Sequence, residues 1–434
     1  MIRMKWTKRL TGLFLSVAVF TLFWLGTSLQ AANAAEAVQP NLQLAVKSAI
    51  LVEASTGKIL YSNNPDIALP PASMTKMMTE YLVLEALKQK KITWDEKVPV
   101  SEYAFYIAKM SDSAGVYLNL GEEFTVQELY KAMAIASAND ATVLLAEKVG
   151  GSEANFVAMM NKKAQELGMK TAFFATASGL PANELGPYSP KGIDKDNVMS
   201  ARDAAILARA LITDFPEALE YSKIPRLTFR EGTENPLKKA NYNWMLPGLP
   251  NEYAGVDGLK TGYTDQAKYC FTGTAIRDGI RLISVVMGTE SETKRFVETQ
   301  KLLDYGFSNF KLTKVQEKDS AIKGFETAPV KKGVELSVPA VAENDIQLVS
   351  KIGEEKNYQP TVTFNDLTAP IKKGQVIGQV VYQAKGITDE YLRPEDAQKS
   401  GYNLVAAQDV EEASWIRLLF RSIFEFISNM LGGK

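Results

Sequence analysis

Pro70-Pro71-Ala72-Ser73-Met74-Thr75-Lys76 decides how the rest of the chain is read. Two prolines close an extended segment and fix the backbone at the first turn of a helix. Beyond them Met74, Met77, Met78, Tyr81, Leu84 and Leu87 recur at helical spacing and give an apolar face. Ser73 and Lys76 are three apart on that helix and so share a face. A serine with an amine one turn on is a nucleophile beside its own base. An N-cap serine and a solvated lysine make the same pattern. Ser-x-x-Lys also occurs at Ser55/Lys58, Ser291/Lys294, Ser308/Lys311 and Ser320/Lys323. The pair takes its meaning from its company.

Two absences narrow the chemistry. The 434 residues contain no histidine, which excludes a Ser-His-Asp triad, a Cys-His dyad and any His-ligated metal. One cysteine, Cys270, permits neither an intramolecular disulfide nor a thiolate cluster. It reads as a small buried hydrophobe. A hydrolase made from this chain takes its base from Lys, Asp, Glu or Tyr. The composition, 46% hydrophobic and 23% charged with net charge −1, is that of a globular chain of two or three domains. Nothing in it gives the basic footprint of a nucleic-acid binder, and neither a phosphate loop nor a dinucleotide fingerprint occurs. Asp194 and Asp196 resemble a fragment of a calcium loop, but Ala205 stands at its closing position. No metal and no cofactor is expected.

Around the helix the pattern alternates. Ser48 to Glu53 and Lys58 to Tyr61 flank Ala54-Ser55-Thr56-Gly57 and predict a β-hairpin. Thr125-Val126-Gln127-Glu128 is a capping box that opens a helix toward Ser137. Further helices follow Ser152 and Ser200, with a long Gly/Pro/Asn/Asp-rich loop from Ser178 to Val198 between them. Tyr269 to Ile276 and Ile280 to Met287 form a second hairpin about Arg277-Asp278-Gly279, and a helix from Ser291 to Tyr305 closes the unit. Strands at both ends with helices between them predict an α+β domain with an antiparallel sheet. From Lys311 the texture changes to short strands such as Val334 to Val338, Ile346 to Val349 and Val376 to Tyr382, separated by Lys-Lys-Gly turns. This predicts a small all-β domain with no helix before the tail.

Two more motifs turn the serine–lysine pair into a site. Ser137-Ala138-Asn139 follows the capped helix, and Lys260-Thr261-Gly262 precedes Tyr263-Thr264 where β-structure returns. Ser-x-Asn also fits Ser62-Asn63-Asn64, whereas Lys-Thr-Gly occurs once. The three in this order form the signature of penicillin-recognising serine enzymes.

The sequence resembles the low-molecular-mass penicillin-binding proteins, specifically the D-alanyl-D-alanine carboxypeptidases. Besides the three motifs, Gly255 to Thr264 and Asn241-Tyr242-Asn243 are close to what that family carries. Lys268 stands where the family pattern has glycine. The resemblance extends from the Ser48 hairpin through Met287 and on to the β-rich region and tail. It implies a β-lactamase/transpeptidase-like catalytic domain in which Ser73 attacks the carbonyl of the penultimate D-alanine. Lys76 would be the base, Ser137 a proton relay, and Asn139 a partner for the substrate's amide backbone. Lys260, Thr261 and Thr264 would bind the terminal carboxylate. Backbone N–H groups of Ser73 and Tyr263, beside Gly262, would form an oxyanion hole. The implied partners are peptidoglycan stem peptides ending in D-Ala-D-Ala, with β-lactams as inhibitors that acylate the same serine. A serine β-lactamase, for which Glu184 is the local candidate to activate water, shares the motifs. So do a non-catalytic β-lactam sensor and a D,D-endopeptidase acting on cross-links.

The two ends predict export and anchoring. Arg3, Lys5, Lys8 and Arg9 precede an apolar run from Leu13 to Leu25 and the small-x-small site Ala32-Asn33-Ala34, the pattern of a signal peptide over residues 1–34. Between Ser414 and Met430 one narrow polar stripe, including Arg417 and Arg421, runs along an otherwise apolar helix. That suits a helix lying in a membrane interface more than one spanning it. The expected organisation is signal peptide 1–34, catalytic domain 35–310, β-rich domain 311–405 and anchor helix 406–434. The expected location is the outer face of the cytoplasmic membrane.

Overall fold

The computed structural model describes residues 40–111, 113–385, 389–399 and 401–430. The signal peptide expected over 1–34 lies outside the described residues.

The central sheet has five strands in the order Ile59–Asn63, Ser48–Glu53, Ile280–Thr289, Lys268–Arg277, Val256–Thr264, and every neighbouring pair is antiparallel. Both faces are covered. Ile50, Val52, Ile283 and Val285 point into one core with Met74, Met77 and Met78. Ala49, Leu51, Leu282 and Phe271 point into another with Phe296, Leu302 and Leu303. Double coverage explains why Ser48–Glu53 is buried along its whole length and why Ala49 to Val52 reads as an unbroken apolar run. The second hairpin turns on Asp278 and Gly279, both at positive φ, as a two-residue turn between right-twisted strands requires.

Helices fill the first face. The Val126–Ala136 helix carries the expected reciprocal cap between Thr125 and Glu128. Asn139–Gly150 follows after Ser137 and Ala138, Ser152 caps Glu153–Glu166, and Ser200 with Asp203 caps Ala201–Asp214. The Glu292–Asn309 helix covers the other face. The loop expected from Ser178 to Val198 contains a 3₁₀ segment, Ala182–Tyr188, which buries Leu185 against Tyr103 and Ile107.

The β-rich region is a six-stranded sheet ordered Tyr358–Phe364, Val376–Ala384, Tyr402–Ala406, Ser337–Ala342, Thr327–Lys331, Leu367–Thr368, with a separate pair Phe310–Gln316 and Ile346–Lys351. Three expectations are corrected here. The strand expected at Val334 to Val338 lies at Ser337–Ala342, because Val338, Ala340 and Ala342 alternate into the cores and leave Leu336 exposed. A short helix, Pro394–Lys399, interrupts a region expected to have none before the tail. The chain around it returns to the first hairpin, where Lys58 Nζ meets Asp389 at 2.7 Å and Leu392 N donates to the Gly57 carbonyl, and to the Ala201–Asp214 helix, where Arg209 pairs with Asp396 at 2.9 Å. The tail begins later than residue 406, since Val410 bridges Ile371 and Glu412 bridges Gly333 within the β-rich region.

The terminal helix is Trp415–Met430. Trp415, Phe420, Phe424 and Phe426 on it are exposed, while Arg421 donates to the carbonyls of Gly333 and Val334 at 2.6 and 2.8 Å. No helix among the described residues is long and apolar enough to cross a membrane.

Candidate active site

Ser73 is not an N-cap. It lies in a 3₁₀ turn, Ala72–Thr75, and the α-helix proper is Lys76–Lys88. Ala72 at φ 49° turns the chain sharply after the prolines, so the helix axis begins one turn later than the apolar spacing implies. The serine–lysine geometry survives the change. Lys76 is fully buried, and its Nζ donates to Ser73 Oγ at 2.8 Å, Asn139 Oδ1 at 2.6 Å and the Ser178 carbonyl at 2.7 Å. Burial drives the Lys76 pKa well below the ordinary lysine range, and the Lys260 cation pushes the same way against Asp140 and Glu80.

Ser137 ends the Val126–Ala136 helix in the left-handed region, φ 52°. This reversal separates that helix from Asn139–Gly150 and lets Ser137 and Asn139 serve different partners. Lys260 Nζ donates to Ser137 Oγ at 2.8 Å. Asn139 accepts from Lys76, and its Nδ2 donates to Ser113 Oγ at 2.9 Å. The amide expected to meet substrate is therefore engaged at both ends inside the protein, and Ser137, expected as a relay for Lys76, is held by the other lysine.

Lys260, Thr261 and Gly262 lie on the edge strand Val256–Thr264, which runs beside the Ser73 turn. A β-carbon on Gly262 would lie 2.4 Å from the Pro71 carbonyl oxygen, and one on Gly179 would lie 2.0 Å from the Ala72 oxygen. Glycine at both positions lets the strand and the Ser178 loop close onto the turn. Lys260 and Thr261 are buried. Thr264 Oγ1 accepts from Ala267 N, and Tyr263 is half-exposed with its ring 4.4 Å from that of Tyr269. Burial lowers the Lys260 pKa, Glu80 opposes the shift, and Arg295 adds to it.

Sequence reasoning missed several groups. Ser178 supplies its carbonyl, and Asn197 holds the Ser73 turn by donating to Thr75 Oγ1 at 3.0 Å. Arg295, buried on the Glu292–Asn309 helix, points Nη1 at the Gly262 carbonyl (3.4 Å) and pairs with Glu292 at 2.8 Å. Glu80 is buried one turn beyond Lys76. Only Glu80 left a signal in the sequence, as an acid within a helix otherwise apolar on most sides. Of the other expected positions, Asp196 accepts from Ala182 N, and Glu184 is exposed. Cys270 is buried with its thiol pKa raised to about 11 by burial.

Residues 33–291 match the D-alanyl-D-alanine carboxypeptidase family of peptidases, and residues 310–412 match the C-terminal domain of penicillin-binding protein 5. The chain is 38% identical over 367 residues to D-alanyl-D-alanine carboxypeptidase DacF of Bacillus subtilis (strain 168), covering 82% of this chain and 87% of that one. It is 36% identical over 392 residues to D-alanyl-D-alanine carboxypeptidase DacA of Haemophilus influenzae, covering 88% and 91%. Among solved structures, a peptidoglycan synthesis regulatory factor (PBP3) from Streptococcus pneumoniae superposes with TM-score 0.77 at 36% identity, over 85% of this chain and all (100%) of that one. Penicillin-binding protein D2 from Listeria monocytogenes in its ampicillin-bound form superposes with TM-score 0.53 at 37% identity, over 62% and 100%.

Proposed function

The chain belongs to the D-alanyl-D-alanine carboxypeptidase family, and from that premise we propose that it removes the terminal D-alanine from peptidoglycan stem peptides through an acyl-enzyme on Ser73. The observation that carries this reading is the buried Lys76 amine 2.8 Å from Ser73 Oγ. Burial pushes that amine toward its neutral form, which takes the serine proton as Oγ attacks the carbonyl carbon of the penultimate residue. The oxyanion meets the backbone N–H groups of Ser73 and Tyr263, each worth about 3 kcal/mol in such a site. Collapse breaks the C–N bond; Lys76 returns the proton to the leaving amine, and D-alanine departs. Water, deprotonated by the same amine, then hydrolyses the ester and restores Ser73.

Lys260, with the hydroxyls of Thr261 and Thr264, binds the substrate's terminal carboxylate. Ser137 holds Lys260 in place for that contact, and Asn139 aims Lys76 at Ser73. A β-lactam acylates Ser73 by the same steps, but its leaving nitrogen stays tethered and the adduct persists. A class A β-lactamase would need a carboxylate for the second step, and the exposure of Glu184 speaks against that role. The signal-peptide pattern of residues 1–34 in the sequence and the exposed apolar side chains of Trp415–Met430 support an exported enzyme resting on the outer face of the membrane through an interfacial helix.

Intact mass after exposure to benzylpenicillin, beside D-alanine release from a pentapeptide ending in D-Ala-D-Ala, tests the reading. A stable adduct with D-alanine released, both lost in Ser73→Ala, is the expected result. Rapid penicillin turnover without D-alanine release would overturn it.

A further inference from the structure

Residues 389–396 lie between the strands Val376–Ala384 and Tyr402–Ala406 of the β-rich region, yet they join the catalytic domain. Their backbone pairs with the start of Ile59–Asn63, the outermost strand of the central sheet on the edge away from Lys260. Ile59 N donates to the Glu390 carbonyl at 2.8 Å, Leu392 N to the Gly57 carbonyl at 2.9 Å, and Lys58 and Tyr391 form an antiparallel bridge. One edge of the sheet is thus left to the strand of Lys260, and the other is capped where a bare strand would invite foreign pairing. Gly57, at φ 76°, makes room: a β-carbon there would lie 3.1 Å from the Asp396 carboxylate. Side chains then fasten the segment. Lys58 Nζ meets Asp389 at 2.7 Å and the Tyr358 hydroxyl at 3.0 Å, both from the β-rich side. Ser55 and Lys58 repeat the serine–lysine spacing of the active site, but they serve this contact instead. The Ser55 carbonyl accepts from Arg209 at 2.7 Å, and the same guanidinium pairs with Asp396, whose side chain is 1% exposed. Arg393 binds Asp396 as well, at 2.8 Å. Parting such a buried pair strands a charge out of water.

The attachment straddles the sheet. Leu392, 4% exposed, enters the core that holds Met74 and Met77. On the opposite face the Glu292–Asn309 helix runs straight into the strand Phe310–Gln316, and Phe310 and Val349 enter the core that holds Phe296 and Leu303. Two domains joined at one junction move relative to each other by default, with the hinge at the residues between them. We propose that residues 389–396 are a domain lock: together with the Phe310 junction they grip the sheet edge from both faces and stop the β-rich domain from swinging. The lock stands apart from the reaction and from the membrane. For the anchored enzyme proposed above it has one consequence, which rests on that anchoring. Arg421 ties the terminal helix to the Gly333 turn of the β-rich domain, so a locked domain holds Ser73 at one height and one orientation over the bilayer.

The experiment is a distance measurement by pulsed electron resonance on the full chain in detergent. Spin labels go on Lys162→Cys, exposed on the Glu153–Glu166 helix, and Lys372→Cys, exposed in the β-rich domain. The buried Cys270 stays unlabelled. A single narrow distance is expected. Asp389→Lys sets two lysines against each other and broadens the distribution by about twofold or more. Adding Lys58→Asp restores the pair with its charges exchanged and narrows the distribution again, a recovery that general loss of stability would not give. Leu392→Asp withdraws the apolar anchor and broadens it as well; if that variant does not fold, the charge-exchange series decides alone. A broad distribution in the unmodified chain would overturn the proposal. So would a distribution that stays narrow in Asp389→Lys with the circular dichroism spectrum unchanged, because the Phe310 junction would then suffice to hold the domains.

Discussion

The α-carbon of Gly262 faces the carbonyl oxygen of Pro71 so closely that a β-carbon there would lie 2.4 Å from it. Two segments nearly two hundred residues apart in sequence thus meet where neither has a side chain to spare. The contact sets the distance between the strand that carries Lys260 and the turn that carries Ser73.

Gly262→Ala tests that contact. The added methyl meets backbone and the Met74 side chain, with no flexible end to move aside, so the strand must shift away from the turn. A displacement of about 1 Å at a reacting centre costs on the order of 100-fold in rate. Benzylpenicillin acylation is expected to fall by about that factor while the circular dichroism spectrum stays unchanged. Acylation at the unmodified rate would mean that the strand does not set the geometry.

The site was legible in the sequence only as far as local period and motif reach. Ser73 and Lys76 sit three apart in any helical turn, so their pairing was readable even though the turn is 3₁₀. The left-handed φ of Ala72 was not, because alanine carries no such preference. Ser-Ala-Asn and Lys-Thr-Gly announced a site, but which lysine holds Ser137 depends on a sheet edge crossing the helical face, a long-range fact. The Ser178 carbonyl carries no sequence signal at all. Lys268 shows the reverse: where the resemblance implies glycine it stands at φ 56°, so the position singled out in the sequence is one whose backbone favours glycine. In the β-rich region the runs at Ile346 and Val376 were readable as strands, whereas the one expected at Val334 to Val338 lies further along, at Ser337–Ala342. The return of Asp389 to Asp396 onto the first hairpin and the Ala201–Asp214 helix was not readable, since its ion pairs with Lys58 and Arg209 join residues far apart in the chain.

The pH dependence of acylation follows from Lys76. Its pKa is driven down by burial and then by the Lys260 cation, and only its neutral form accepts the serine proton. The acylation rate therefore rises with pH through the folded-state pKa, which lies well below the ordinary lysine value of about 10.4. Lys76→Arg removes the neutral form, because a guanidinium does not deprotonate in this range. The second-order rate with benzylpenicillin is expected to fall by about 1,000-fold or more and to lose its acid limb. An arginine variant that kept the limb would place the base elsewhere.

The tail gives the last prediction. Cutting after Val410 would remove the bridge from Glu412 to Gly333 and the bond from Ala413 N to the Lys332 carbonyl, and so disturb the β-rich region. Cutting after Ser414 removes the helix alone. Trp415, Ile416, Leu419, Phe420, Ile423, Phe424, Phe426 and Ile427 are all exposed on it, a run of large apolar side chains that a water-facing surface does not favour. Arg421 is tied to two carbonyls of the Gly333 turn, which leaves Arg417 as the arginine without such a tether. A chain lacking residues 1–34 and ending at Met430 or beyond should sediment with vesicles containing phosphatidylglycerol. The chain ending at Ser414 should stay in the supernatant while acylating at the full rate, because Arg421 ties the helix to the Gly333 and Val334 carbonyls of the β-rich region. Salt separates the two components of binding: screening weakens the arginine contribution, whereas insertion of the aromatic face persists. Vesicle binding retained after the cut at Ser414 would move the membrane contact onto the β-rich region itself.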